Sequence, residues 1–403
     1  MDGRLLGVVV AGGGSASLDP LVSPGEAALT PFAGKYRFID FALATLANSG
    51  VRDGYVFAPR TDAALGAHVA RARGTAGPVH RALRCLPGMR ATGTPARRTV
   101  EALRACSDLV AAHEPEAIAV LSADHILQLD LRPLAAAHRE LGADVTLVAL
   151  PLGASEVRGR TVLRVGADGR VGEVRRARSA AAASNGTGLF ALSWAGDFMV
   201  RAGALPAVLD ALATDDVRDD ARLLASLAAR LRMMTYDPLD KHVPGASHGA
   251  YWHEPTTLEA YYAAQMDLCT PRPMLDLYNP AWPVFAAASG LAPAKVVADP
   301  AGRAGQALNS LVSGGSVIRG GVVVNSVLGH AVVVESGAEV EDSVLLDGCR
   351  IGRGALVRRA LVGPGAVVAD GEEIGYGTAP SAPGRLAASG LTVVVAPPAA
   401  AGS

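Results

Sequence analysis

The chain has 403 residues, 50% of them hydrophobic and 19% charged, with a formal net charge of −1. That balance fits a soluble globular protein of about two domains and carries no sign of a nucleic-acid or membrane partner. No apolar run approaches the roughly 18–20 residues of a membrane span, and the N-terminus lacks the basic region, apolar core and cleavage site of a signal peptide, so the expected compartment is the cytoplasm. Cys85, Cys106, Cys269 and Cys349 are scattered, without a CxxC pair or a neighbouring histidine at metal spacing, and read as free thiols. Almost all positive charge is arginine; the only lysines are Lys35, Lys241 and Lys295.

In chain order, the apolar run Leu5–Val10 stops abruptly at Gly12-Gly13-Gly14. A buried strand that ends in consecutive glycines lets backbone N–H groups approach a ligand closely, and phosphate is the usual ligand of such a loop. The spacing is not Gly-x-Gly-x-x-Gly and no Gly-Lys-Ser/Thr follows, so neither a dinucleotide fingerprint nor a P-loop is present. Short apolar strands then alternate with helical stretches: Val8–Val10, Phe41–Ser49, Gly54–Phe57, Thr99–Ala112, Ala117–Leu121, Leu134–Leu141 and Asp144–Ala149. Such alternation predicts an α/β domain, a doubly wound and mainly parallel sheet with ligands at the carboxyl ends of its strands.

The strand at Ala117–Leu121 opens into Ser122-Ala123-Asp124-His125. A carboxylate at such a strand end is placed to hold a divalent cation, and the plain alternative is a helix-capping aspartate. Strands are expected again in Thr161–Val174 and Gly188–Leu192, and Tyr251–Thr257 leads into a helix at Leu258–Leu268. Residues 271–300, rich in proline and poor in either period, read as a connector between a first domain at 1–270 and a second at 301–378. In that second domain small or apolar side chains recur every sixth residue, as at Val332, Ala338, Val344, Leu356, Val362, Val368 and Ile374, with Arg350 the one interruption. A six-residue repeat is the signature of a left-handed parallel β-helix; a β-sandwich would show alternation bounded by turns instead. Residues 379–403 read as a flexible tail whose run Leu391–Val395 either adds an edge strand or stays loose.

The longer phrases carry a family likeness. Ala11-Gly12-Gly13, Leu18-x-Pro20-Leu21 and Pro31-Phe32-x-Gly34-Lys35-Tyr36-Arg37-x-Ile39-Asp40-Phe41 resemble the opening of the ADP-glucose pyrophosphorylases, the glucose-1-phosphate adenylyltransferases of bacterial glycogen synthesis. The likeness continues to about Gly377, through Leu277-Tyr278-Asn279, Trp282-Pro283 and the coils around Asn325–Leu328 and Ser336–Leu345. It implies ATP and sugar phosphates as ligands, Mg2+ as cofactor, and a homo- or hetero-tetramer, with an active paralogue in the second case. It gives Gly12, Gly13, Gly93 and Thr94 to the nucleotide, Gly188 to the sugar, and Asp124 and Glu254 to the metal. Lys35 takes the place of a lysine associated with activator response; its plainer role is to help fold the loop.

The departures from the family are as informative. Its catalytic arginine on the triphosphate falls at Ser17, and its phosphate-binding lysine falls at Ala27. The second metal position holds Glu254 where the family has aspartate, and one extra methylene exceeds the ~0.5 Å tolerance of a working site, so the resemblance implies weakened metal binding. The sugar-phosphate phrase becomes Arg176-Ala177-Arg178. An arginine from elsewhere, such as Arg90, Arg97, Arg176 or Arg178, is the candidate replacement for the lost cations. The expectation is therefore a family member impaired in catalysis that serves as a regulatory or assembly subunit; the alternative is an active adenylyltransferase with a rearranged site. Acyl transfer on the β-helix would need a histidine base, and His330 is the only histidine there.

Overall fold

The computed structural model describes residues 4–11, 18–19, 21–22, 27–59, 63–72, 83–89, 95–153, 156–177, 190–213, 219–239, 241–247, 249–376, 385–388 and 390–396. Its N-terminal part is built on a nine-stranded sheet. At the centre Leu5–Val10 pairs in parallel with Ala117–Ser122 on one side and Asp53–Pro59 on the other, and Arg84–Met89 continues the parallel edge. Phe190–Arg201 then enters antiparallel beside Ala117–Ser122 and carries Val145–Gly153 and Thr161–Val165 with it.

Side chains along the central strand alternate between two cores. Leu6, Val8 and Val10 face the helices Pro95–His113 and Asp220–Ala228 through Val100, Leu103, Leu223 and Leu227. Val9 faces the helices Phe38–Asn48, Ala63–Ala72 and Leu131–Glu140 through Ile39, Leu43, Leu65, Val69 and Leu134. Burial on both faces is why the strand reads as an unbroken apolar run rather than as a polar and apolar alternation. The doubly wound α/β fold is thus present as expected.

The C-terminal part is a left-handed parallel β-helix, seen as three stacks of short parallel strands. Its first strand is Lys295–Val297. Leu391–Val394 joins the last coil beside Ala360–Val362, and Arg385–Ala388 pairs antiparallel on it. The sixfold repeat holds along each face but slips from coil to coil: Val317 and Val333 stack sixteen residues apart, and Val333, Arg350 and Val367 seventeen. The reason lies at one corner, where Asn309, Asn325, Asp342 and Arg359 each adopt a left-handed turn with φ of 46–48°. That turn shortens one of the three hexads. In consequence Val344 leaves the expected interior ladder and packs against the first domain, and Leu356 is only half-buried.

A third core joins the two parts. Phe32, Tyr36, Phe38 and Phe41 pack with Tyr261 and Leu268 of the helix Leu258–Asp267 and with Val327, Val344 and Leu361 of the β-helix. Polar contacts lock the same junction: Arg37 pairs with Asp347, and the Tyr262 hydroxyl donates to the Asp342 carbonyl over 2.6 Å. No helix among the described residues is long and apolar enough to cross a membrane.

Candidate active site

The carboxyl ends of the two central strands meet at one point. Val10 and Ser122 are register partners, and the Ala123 N–H donates to the Val10 carbonyl over 3.0 Å. Beside them lies a cleft of about 450 Å³ lined by Arg98, Asp124, Arg160, Arg176, Asp220 and Glu254, among others. Its position agrees with the rule that ligands of open α/β sheets bind beyond the carboxyl ends of the strands.

A bulge in the neighbouring strand fixes the loop that carries Asp124. Between Trp194 and Phe198 the register of Phe190–Arg201 slips, and Gly196 there has φ +103°, a value natural to glycine. A Cβ at Gly196 would stand 3.1 Å from His125 Cε1. The bulge turns the buried Asp197 inward, where Oδ1 accepts from the Ser122 N–H at 3.0 Å and Oδ2 lies 2.8 Å from His125 Nε2. Trp252 holds the other side of the bulge by donating from Nε1 to the Ala195 carbonyl at 2.9 Å. Burial opposes the charge on His125, but Asp197, with Glu254 and Asp124, outweighs it and the imidazole pKa is raised.

Asp124 and Glu254 do share the cleft, in different states. Asp124 Oδ1 is buried and accepts no hydrogen bond. Burial pushes the Asp124 carboxyl up to about 6, against the pull of Arg98 and His125 and with a further push from Glu254. Glu254 is held in an ion pair by Arg160, whose guanidinium also lies 4.9 Å from the centre of the Trp252 ring. Asp220, at the start of its helix, is likewise raised to about 6 by burial and by the neighbouring Glu254 and Asp219.

With a phosphate ligand, the pair Asp124 and Glu254 is a donor set of the kind that holds Mg2+. It does not fit as it stands. Glu254 is already paired with the Arg160 guanidinium, and Asp124 sits in the field of Arg98.

Of the other residues expected at the site, Gly12, Gly13, Ser17, Gly93, Thr94 and Gly188 lie outside the described residues. Ala27 begins the short turn Ala27–Leu29, is buried, and is absent from the cleft wall. Lys35 is exposed at the junction of the two domains, its Nζ 4.9 Å from the centre of the Tyr36 ring. His330 Nδ1 lies 3.3 Å from the Gly314 carbonyl of the adjacent coil, a contact that holds the ring against the β-helix wall.

Among the candidate replacement cations Arg176 does line the cleft, whereas Arg97 is exposed and its neighbour Arg98 is the one turned inward. Arg90 and Arg178 lie outside the described residues. Arg158 and Arg160 went unnoticed in the sequence because nothing local marks them. Asp197 had a signal: a glycine inside an apolar strand, at Ala195-Gly196-Asp197, is the mark of a bulge.

The fold and the cleft together define a nucleotidyltransferase domain joined to a hexapeptide β-helix. Residues 6–175 match the nucleotidyl transferase family, and residues 292–394 match the GlmU-like C-terminal hexapeptide family. The glucose-1-phosphate adenylyltransferase of Frankia casuarinae is 33% identical over 92% of this chain and 92% of its own. That of Anaeromyxobacter is 32% identical over 93% of each, and that of Deinococcus radiodurans 31% identical over 93% of this chain and 94% of its own. The chain belongs to the glucose-1-phosphate adenylyltransferase family.

Proposed function

We propose that this chain is a regulatory or assembly subunit of ADP-glucose synthesis for α-glucan formation, impaired in its own adenylyl transfer. The reading is carried by the ion pair of Arg160 with Glu254, which occupies the second of the two carboxylates the family gives to the metal. Adenylyl transfer from ATP to glucose 1-phosphate is chiefly positioning and charge neutralisation on the triphosphate. Loss of one such contact typically costs ~3–4 kcal/mol of transition-state stabilisation, or roughly 10²–10³ in rate. Ser17 and Ala27 remove two of them. The four free thiols suit a reducing compartment, the cytoplasm.

The test is direct. Purified alone, with ATP, glucose 1-phosphate and Mg2+, the chain is expected to form ADP-glucose at least about a thousandfold more slowly than an intact relative. Turnover in the ordinary range of roughly 1–10³ s⁻¹ overturns the reading. That result would favour the second reading, an active adenylyltransferase, for which the arginines Arg98, Arg158, Arg160 and Arg176 in the cleft wall are the supporting observation.

As a subunit, the chain assembles into a tetramer with itself or with an active paralogue, and Lys35 contributes to the activator response of that complex. Its ammonium stands exposed where the two domains meet, within reach of an anionic effector. One charge-assisted contact is worth roughly 1.5–3 kcal/mol, so Lys35→Ala is expected to weaken activator affinity about 10- to 100-fold with little change in basal rate. Activator titration of the co-expressed complex, its mass checked by light scattering, reads both points. Superimposable curves leave Lys35 as a folding residue, and a monomer mass removes the assembly.

A further inference from the structure

A phosphate chain needs its charge met by cations, and a guanidinium can supply that charge as well as a metal can, with two parallel N–H donors per phosphate group. Arg160 already stands on Glu254 and is fixed from the other side by the Trp252 ring. Arg158 and Arg176 line the same cleft and form no ion pair among the described residues. Among the described residues Arg176 makes one hydrogen bond, from Nε to the Gly159 carbonyl at 3.1 Å, which does not engage its terminal nitrogens. Thr161 and the start of the helix Asp220–Ala228 also line the cleft.

We propose that the cleft binds a nucleoside diphosphate sugar without a divalent cation, the guanidinium groups of Arg158 and Arg176 taking the diphosphate while Arg160 keeps Glu254 from a metal. The proposal deepens the reading of an impaired subunit and rests on it: the site retains the ligand of the reaction and gives up the ion that drives the chemistry. A cleft of this kind reports the presence of ADP-glucose to the rest of an assembly without consuming ATP.

The experiment is calorimetric titration of the full chain with ADP-glucose in EDTA and in excess Mg2+. Expected are dissociation constants within about threefold of one another, and a roughly 10-fold or greater weakening in EDTA by Arg158→Ala or Arg176→Ala. Arg160→Ala frees Glu254 and is expected to make binding magnesium-dependent, tighter by at least about tenfold with the metal present. Glu254→Gln guards against a folding defect in that variant, since it leaves the arginines in place and is expected to bind equally in both buffers. Binding that needs Mg2+ in the unaltered chain overturns the proposal, as does absence of ADP-glucose binding in either buffer. The outcomes separate from those of the rate assay. A fast enzyme that binds in EDTA ends only the reading of impairment, and a slow one that needs Mg2+ ends only the metal-free site.

Discussion

Gly34→Ala is expected to lower the stability of the chain by about 3 kcal/mol, the sum of a backbone and a packing effect. Gly34 sits in the turn between the short strands Pro31–Phe32 and Tyr36–Arg37 with φ +76°. An alanine there meets the left-handed penalty of roughly 1–2 kcal/mol. Its Cβ would also stand 2.8 Å from the Leu328 carbonyl oxygen and 2.4 Å from Ser313 Oγ, both on the β-helix. The hydroxyl can turn away, but the carbonyl belongs to a strand and cannot, so the two domains must part by a few tenths of an ångström, at a further cost of about 1–3 kcal/mol. Gly50 supplies the control, having the same φ of +76° and nothing within 4 Å of its would-be Cβ. Urea unfolding of both variants isolates the junction term. Equal losses for Gly34→Ala and Gly50→Ala would mean that the turn does not bear on the β-helix at all.

The second large effect is a dependence on acid carried by His138. This residue lies in the helix Leu131–Glu140, 4% exposed, with Nδ1 2.7 Å from Thr146 Oγ1 and no partner for Nε2. Burial, aided by Arg201, holds its pKa down to about 4 from the ordinary 6.5. Above 6.5 the imidazole is neutral in both the folded and the unfolded chain, and stability is unaffected. Between 6.5 and 4 the unfolded chain takes up a proton that the folded chain refuses, so stability falls as pH falls, by about 2 kcal/mol at about pH 5 and about 3 kcal/mol in full. Asp124 and Asp220 work in the opposite sense: with their carboxyls raised to about 6 from 3.8, the folded chain binds these protons more tightly and stability falls as pH rises through that window. The raw pH profile therefore mixes the two. The reading to take is the difference between the chain and His138→Gln in denaturant midpoints at about pH 7.5 and about pH 5, where the variant should be spared about 2 kcal/mol of acid loss. Parallel profiles would place His138 in a site where it can be protonated without harm.

Much of this protein was legible in one dimension. The unbroken apolar run Leu5–Val10, the strand and turn at Ala117–Asp124 and the sixfold repeat all reflect constraints that act over a few neighbouring residues, and such constraints leave periods in the sequence. The resemblance carried by Pro31–Phe41 and its counterparts placed Asp124 and Glu254 in one cleft before any geometry was known, since a shared fold brings matched phrases together. What the sequence could not determine is which charges meet. Arg160 reaches Glu254 across ninety-four residues, and Asp197 reaches His125 across seventy-two. Arg98 rather than Arg97 turns inward because the register of its helix is set by Val100 and Leu103 against the sheet. The slip from eighteen to sixteen or seventeen residues per coil likewise came from a backbone turn at Asn325 and Asp342 that no hydrophobic period announces. Local propensity and burial write the elements into the chain, whereas the field inside the cleft is the sum of side chains from six separate segments, and only the folded sheet brings them within reach of one another.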